Sequence, residues 1–272
     1  VSQPLEKGAA ACYVQPIVPQ VQVAIPVEPA PAIVAPDAAA GSGGVAIVTN
    51  ETVAAGACFQ YQDKIVFSRL DASQPNAHYE LYLVNPDGGG LTRIPVSQDY
   101  TSDAAVRVYR YPSWSPDRCR IAFSADVIEN GSPNTDIYTL KPDGTEMKRL
   151  TNSPAAEQDP DWFSDGQNLV YTSNQAYLPA DPDKADLYTV KTDGSSPAVM
   201  LSENSRMYEA QMFPGYQYVA FTWDLKDNTG EVFTSAWFMN IEKQSLTRLT
   251  PEDGFHYRYP SWSKDGSRIA VA

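Results

Sequence analysis

One block of sequence recurs along the chain, and this recurrence constrains the fold more than any other feature. Residues Tyr109–Ser115 read YRYPSWS, and the same letters return at Tyr257–Ser263. A related block, PDWFSDG, stands between them at Pro160–Gly166. With the Trp position as the marker, the copies fall at residues 58, 114, 162, 212 and 262. A near-constant period indicates similar structural units that stack on one another.

Each unit carries the pattern of four short β-strands. The marker ends the first strand, and an apolar triplet such as Ile121–Phe123 begins the second. The third runs from Asp-Ile-Tyr to an Asp-Gly pair, as at Asp136–Gly144, and an Arg-Leu-Thr segment such as Arg149–Thr151 forms the fourth. Asp and Gly tolerate the positive φ of tight hairpins. Four antiparallel strands per repeat predict an all-β fold, a β-propeller of four-stranded blades.

The order of these segments resembles the WD40-like (PD40) repeat of the TolB propeller family, over about residues 58 to 272. Two departures from the pattern are Arg118, which replaces the turn glycine of the second repeat, and Cys58, which stands at the first Trp position. The resemblance implies a periplasmic or secreted propeller that associates with other proteins. Relatives usually have six or more blades, whereas four full repeats and a partial fifth predict about five blades here.

Composition divides the chain into residues 1–44 and residues 45–272, the second part being the propeller. The first part is rich in Pro, Ala and Val, which predicts an extended arm rather than a helix. An apolar edge runs along this arm at Val21, Val23, Ile25 and Val27. The arm is therefore either a flexible tether or a segment that lies along a partner protein. The ring closes either through further chain or, as we favour, through Val45–Thr49 in the last blade.

Charge and composition exclude several functions. The chain has 20 Lys and Arg against 33 Asp and Glu, a formal net charge of −13, which argues against a nucleic-acid partner. No apolar run is long enough to cross a membrane. The chain has two His and three Cys and lacks the common hydrolase and zinc-protease motifs. We therefore expect that the protein is not an enzyme and that it needs no cofactor.

The candidate partner-binding residues flank two of the Trp markers. Arg110 and Arg258 occupy equivalent positions and are expected near one mouth of the central channel, where two guanidinium groups would hold a carboxylate. The tyrosines beside them, expected to anchor a protein interface, are Tyr109, Tyr111, Tyr257 and Tyr259. The alternative is that these side chains pack between blades. The markers Trp114, Trp162 and Trp262 are expected in the blade cores.

Two further sites are expected on weaker patterns. Asp181, Asp183 and Asp186 form a short acidic stretch that is a candidate for calcium, although three carboxylates fall short of the six to eight oxygens that calcium binds. Cys12 is an ordinary tail thiol, a lipidation site or the disulfide partner of Cys58. The latter pairing would leave Cys119 buried in a strand.

Together these features predict a non-enzymatic, protein-interacting scaffold subunit of a bacterial envelope assembly. It would bind through its arm and one propeller face, in the periplasm or outside the cell, peripheral to a membrane protein complex. A second interpretation is a binding module for a peptide or glycan at the channel mouth. A third and weaker one is a lyase or hydrolase-like propeller.

Overall fold

A computed structural model describes most of the propeller region. The described residues are 58–71, 78–96, 108–129, 132–181, 183–195, 199–200, 206–214, 218–226, 230–263 and 265–272. The arm at 1–44, with Val21, Val23, Ile25 and Val27, lies outside them, as do Cys12 and Val45–Thr49. Their predicted roles stay predictions.

The described residues form five antiparallel sheets that follow one another in chain order. Sheet 1 holds β1 (Ile65–Asp71), β2 (His78–Val84) and β3 (Thr92–Arg93). Sheet 2 holds β4 (Val108–Trp114), β5 (Ile121–Glu129), β6 (Ser132–Leu140) and β7 (Lys148–Arg149). Sheet 3 holds β8 (Glu157–Trp162), β9 (Asn168–Ser173), β10 (Asp186–Lys191) and β11 (Val199–Met200). Sheet 4 holds β12 (Met207–Met212), β13 (Tyr218–Lys226), β14 (Val232–Asn240) and β15 (Ser245–Arg248). Sheet 5 holds β16 (Ser261–Trp262) and β17 (Ile269–Ala270).

This architecture confirms the predicted all-β propeller of repeated small sheets, which we call blades 1 to 5. The helical elements in the described ranges are two short 3-10 turns, Phe59–Tyr61 and Gln175–Tyr177. None of the described helices is long and apolar enough to span a membrane. Within the described residues no sheet joins the two ends of the array into a ring, so the blade count of five stays a prediction.

Alternate side chains of each central strand pack against opposite neighbours. In β9, Leu169 and Tyr171 join the apolar cluster between blades 2 and 3, whereas Val170 joins the cluster between blades 3 and 4. In β5, Phe123 faces blade 1 and Ala122 faces blade 3. All five side chains are fully buried. The two-residue period of a strand therefore gives each blade two apolar faces, and stacking buries both.

The Asp-Gly turns predicted from the sequence are built by the aspartate side chains. Asp117, Asp165 and Asp265 each accept a hydrogen bond from the backbone N–H two residues later, at 2.9, 2.7 and 3.1 Å. Arg118 replaces the turn glycine and still adopts the left-handed conformation, with φ of 59°. Its guanidinium lies 5.4 Å from the ring centroid of Trp114, and this cation–π contact offsets part of the backbone strain.

The structure corrects the predicted cysteine pairing. Cys58 forms its disulfide with Cys119, with 5.1 Å between the Cα atoms, so the predicted Cys12–Cys58 pair is wrong. Cys119 is not buried in a strand; it lies partly exposed in the turn between β4 and β5. The bond joins the segment before blade 1 to blade 2, and spacing along the sequence gave no sign of that contact.

We expect the double variant Cys58→Ser/Cys119→Ser to lose stability. The disulfide closes a loop with a sequence separation of 61 residues, for which the loss of unfolded-state entropy is worth at most about 4 kcal/mol. Urea unfolding of the oxidised protein and of the variant measures the difference. Cys12→Ser is the control, and a comparable loss in that variant would restore the Cys12–Cys58 pairing.

A second prediction concerns the contact between blades 1 and 2 at Gly144. Gly88 and Gly144 occupy equivalent turns with φ of 82° and 84°. A Cβ atom at Gly88 would meet nothing within 4 Å, whereas one at Gly144 would overlap the backbone carbonyl of Pro95. Gly88→Ala should cost about 1 kcal/mol of unfolding free energy and Gly144→Ala at least about 3 kcal/mol. Thermal or urea unfolding compares them, and equal losses would contradict this account.

Candidate functional site

The innermost strands of consecutive blades share one backbone irregularity. Tyr111, Asp159, Glu209 and Tyr259 lie at equivalent positions of blades 2 to 5 and have φ of 52°, 54°, 57° and 52°. In β4, β8 and β12 the pairing register shifts across this position, which marks a β-bulge. Positive φ is uncommon for residues other than glycine, and bulges re-aim side chains. The repeat therefore brings two tyrosines, one aspartate and one glutamate to equivalent positions.

These positions line one cavity, of about 240 Å³, between the first strands of blades 2 to 4 and the start of blade 5. Each of these four blades contributes three consecutive residues, Tyr111–Ser113, Asp159–Asp161, Glu209–Gln211 and Tyr259–Ser261, the last set leading into β16. We call this the mouth cavity. Around it the bulge residues read Tyr, Asp, Glu and Tyr, so two aromatic rings flank two carboxylates.

The two tyrosines of the mouth cavity are exposed. Tyr111 is 43% and Tyr259 59% accessible, although most large apolar or aromatic side chains of the blades are buried. Partial burial raises the pKa of the Tyr111 hydroxyl, and the nearby Asp159 carboxylate raises it further. Both rings therefore offer contact surface that the propeller itself does not use.

The carboxylates of the mouth cavity link neighbouring blades. Asp159 Oδ2 accepts the backbone N–H of Glu209 at 3.0 Å and the Thr172 hydroxyl at 3.4 Å. Glu209 Oε2 in turn accepts the backbone N–H of Tyr259 at 2.7 Å and the Thr222 hydroxyl at 2.6 Å. A chain of carboxylate-to-backbone bonds thus runs from blade 3 through blade 4 to blade 5. It fixes the bulge residues relative to one another.

Asp161 has a structural role beneath the mouth. Its Oδ2 accepts the backbone N–H of Met212 at 2.8 Å, and its Oδ1 accepts the hydroxyl of Ser113. Both oxygens are therefore satisfied by the two neighbouring blades. Burial raises the pKa of Asp161, and it raises the pKa of Asp159 to about 6.

Neither predicted arginine stands alone at the mouth. Arg110 lies 3.8 Å from Asp126, with its guanidinium 5.7 Å from the ring centroid of Tyr79. Arg258 lies 3.8 Å from Glu209 and 4.0 Å from Asp224. Each guanidinium thus lies near carboxylates of the propeller itself. These carboxylates partly neutralise its positive charge, so it would attract the carboxylate ligand predicted from the sequence less strongly.

The four predicted tyrosines separate into two groups. Tyr111 and Tyr259 line the mouth cavity, whereas Tyr109 is 6% accessible and packs edge-on against Phe123, 5.6 Å between ring centroids. The hydroxyl of Tyr257 donates to Asp253 at 2.6 Å, away from the cavity. Tyr109 is therefore a core residue, as the packing alternative predicted, and not an exposed anchor.

The sequence reasoning missed Asp159 and Glu209. They occupy the same register as Tyr111 and Tyr259, one residue before the position that holds Pro112, Pro160, Ala210 or Pro260. Aligning the repeats on the Trp marker would have placed all four side chains together. The markers themselves lie deeper: Trp162 is 5% accessible, Trp114 packs against the cluster between blades 1 and 2, and Trp262 contacts Phe213.

The acidic stretch does not form one group. Asp181 lies 3.5 Å from Lys184 and 3.9 Å from Arg206, whereas Asp186 is fully buried in β10. Asp183 has an exposed side chain, and its backbone carbonyl accepts the Tyr208 hydroxyl. Among the described residues, no set of three or more His, Cys, Asp or Glu side chains is placed to hold a metal ion.

Comparison with known proteins agrees with this architecture. The model of the PD40 family, the TolB beta propeller domain, matches residues 98–271. The chain belongs to the TolB β-propeller family. Putative TolB from Agrobacterium tumefaciens superposes with a TM-score of 0.55 at 18% identity, over 76% of this chain and 70% of that one. These values show a shared fold.

Two other relatives are much longer than this chain. Hydrazine synthase of Kuenenia stuttgartiensis superposes with a TM-score of 0.59 at 12% identity, over 77% of this chain and 35% of that one. Dipeptidyl-peptidase 5 of Porphyromonas endodontalis is 32% identical over 113 residues, which are 41% of this chain and 15% of that protein. The match to this curated relative thus spans less than a sixth of its length.

The ionisation of Asp159 should make stability depend on pH. A pKa raised to about 6 means that folding favours the protonated acid, so the stabilisation is present below pH 4 and lost as the pH rises through 6. Asp159→Asn should therefore gain stability relative to the natural protein between pH 4 and pH 7.5, by at most about 3 kcal/mol.

Urea unfolding at the two pH values measures this gain. Asp265→Asn is the control, because hydrogen bonds from Ser263 and Ser267 lower the pKa of Asp265 to about 2. Its stabilisation is lost only as the pH falls from about 4 toward 2, so the control should change little between pH 4 and pH 7.5. If the difference in unfolding free energy between Asp159→Asn and the natural protein is the same at both pH values, the raised pKa of Asp159 is contradicted.

Proposed function

We propose that the chain is a non-enzymatic protein-binding subunit of a bacterial envelope assembly, and that it binds its partner through the mouth face. The observation that carries this proposal is the exposure of Tyr111 and Tyr259 beside one cavity. Aromatic side chains are enriched in protein interfaces and in their energetic centres. Their exposure on both sides of a preformed cavity is the arrangement that a docking partner uses.

The rigidity of the mouth supports the same function. Asp159 and Glu209 hold the backbone of the next blade, so the positions of Glu209 and Tyr259 are fixed before any partner arrives. A preorganised surface loses little conformational entropy on binding. In this proposal the carboxylates that bridge the blades act as binding-site supports and not as acid–base catalysts.

Membership of the TolB family supports the cellular setting of the proposal. The protein would act in the periplasm or outside the cell, peripheral to a membrane complex, with the arm at residues 1–44 as a second attachment. The similarity to Dipeptidyl-peptidase 5 covers 15% of that protein and therefore gives little support to a peptidase activity.

A second candidate is capture of a free ligand, a peptide or a glycan, in the mouth cavity. The two tyrosine rings favour this candidate. The cavity volume of about 240 Å³ argues against it, because pockets for drug-sized ligands usually measure roughly 300 to 1,000 Å³. A partner protein that inserts part of itself is therefore the better fit.

Site-specific photo-crosslinking in the producing cells tests the proposal. A photo-reactive p-benzoylphenylalanine replaces Tyr111 or Tyr259, and the control replaces Leu246, which is 40% accessible on β15 and does not line the cavity. We expect both mouth positions to give the same ultraviolet-dependent adduct and Leu246 to give none. Equal adducts from Leu246, or none from either mouth position, would refute binding through the mouth.

A further inference from the structure

We infer that the mouth cavity receives a lysine or arginine side chain from the binding segment of the partner protein. This inference rests on the proposed function, because it names the chemistry of the group that enters the site. It follows from three properties of the mouth cavity: its charge, its aromatic walls and its size.

The charge of the mouth cavity is negative. Three carboxylates line it, those of Asp159, Asp161 and Glu209, and the lining residues that the structure describes include no Lys or Arg. The nearest ion pair is that of Arg258, 3.8 Å from Glu209, and this arginine also faces Asp224. A cationic group entering the cavity therefore finds complementary charge, whereas a carboxylate would be repelled.

Asp159 supplies the oxygen that would meet the cation. Both of its hydrogen bonds end on Oδ2, and within the described ranges no protein group donates to Oδ1. This oxygen is not among the buried polar atoms that lack a partner, so it remains open to an entering group. An ammonium or guanidinium group would bind it through a charge-assisted hydrogen bond.

The aromatic walls suit the rest of such a side chain. Lysine and arginine carry an apolar stem behind the charged head, and this stem packs on aromatic surface. The faces of Tyr111 and Tyr259 also attract a cation through their π-electrons. The combination of exposed rings and a carboxylate distinguishes the cavity from a solvated acidic loop such as that at Asp181.

The size of the cavity suits a single side chain better than a complete small-molecule ligand. A volume of about 240 Å³ admits one long side chain, and it is smaller than most pockets for complete small ligands. The partner segment would thus lie across the mouth and insert a single residue. Tyr111 and Tyr259 would contact the segment on either side.

Synthetic peptides test the inference with the full protein at pH 7.5. The probe is acetyl-Gly-Gly-Lys-Gly-Gly-amide, and its comparison peptides carry norleucine or glutamate in place of lysine. Isothermal titration or NMR chemical-shift mapping gives the dissociation constants. We expect the lysine peptide to bind at least about tenfold more tightly than the norleucine peptide, the range for a hydrogen bond to a charged group.

Asp159→Asn removes the charge and keeps an oxygen for the Glu209 N–H. It should weaken lysine-peptide binding about tenfold and leave norleucine-peptide binding unchanged. Asp193→Asn is the matched control, because it removes the same charge from an exposed turn of blade 3 outside the cavity. It should leave the binding of both peptides unchanged. Tyr259→Leu tests the contribution of the aromatic ring separately. It should weaken the binding of both peptides, because both carry an apolar stem that packs on this ring.

The inference is overturned if norleucine and lysine peptides bind equally, if Asp159→Asn and Asp193→Asn behave alike, or if the lysine peptide does not bind at about 10 mM. These failures are separable from failure of the proposed function. Crosslinking through Tyr259 without lysine selectivity would retain the docking face and reject the cationic side chain. Lysine selectivity without crosslinking would retain the cation site and reject the docking role.

Discussion

The burial of both faces of each small sheet is the constraint on which the rest of the structure depends. A four-stranded blade such as β8 to β11 has apolar side chains on both faces, and they are buried by blade 2 on one side and blade 4 on the other. The strand period of two residues makes this possible, because adjacent residues such as Leu169 and Val170 point in opposite directions. Stacking therefore fixes the distance and the rotation between successive blades. The first strands of the stacked blades then line the mouth cavity.

Hydrogen bonds between blades add to the apolar contacts that hold the blades together. Asp159, Asp161 and Glu209 each accept a backbone N–H from the next blade, so the inner strands are held by directed bonds as well as by packing. Burial of these carboxylates costs free energy, which the raised pKa values of Asp159 and Asp161 record. The strained bulges and the costly carboxylates lie at the same place. Such concentration of strain is a common property of binding sites.

The repeat, the four strands of each unit and the Asp-Gly turns could be predicted from the sequence because they are local. Asp165 bonds within its own turn, and no distant contact is needed to form it. The cysteine pairing was predicted wrongly because Cys58 and Cys119 meet only after blades 1 and 2 have stacked. Of the four tyrosines predicted at the mouth, two line the cavity. Tyr111 and Tyr259 reach the cavity, whereas Tyr109 packs in the core. Tyr109 and Tyr111 would share a face in a regular strand, and the bulge at Tyr111 re-aims its side chain.

The sequence by itself determined the blade, because hairpins, turns and alternating apolar residues are encoded within about fifty consecutive positions. Only the tertiary structure decided what stands at the mouth. Tyr111, Asp159, Glu209 and Tyr259 are separated by 48 to 50 residues, and each stands three positions before the marker of its repeat, but the residue type there differs between repeats. They become neighbours because each occupies the same position, with positive φ, of a stacked unit. The charge that a ligand meets is therefore a property of the stacked array and not of any single repeat.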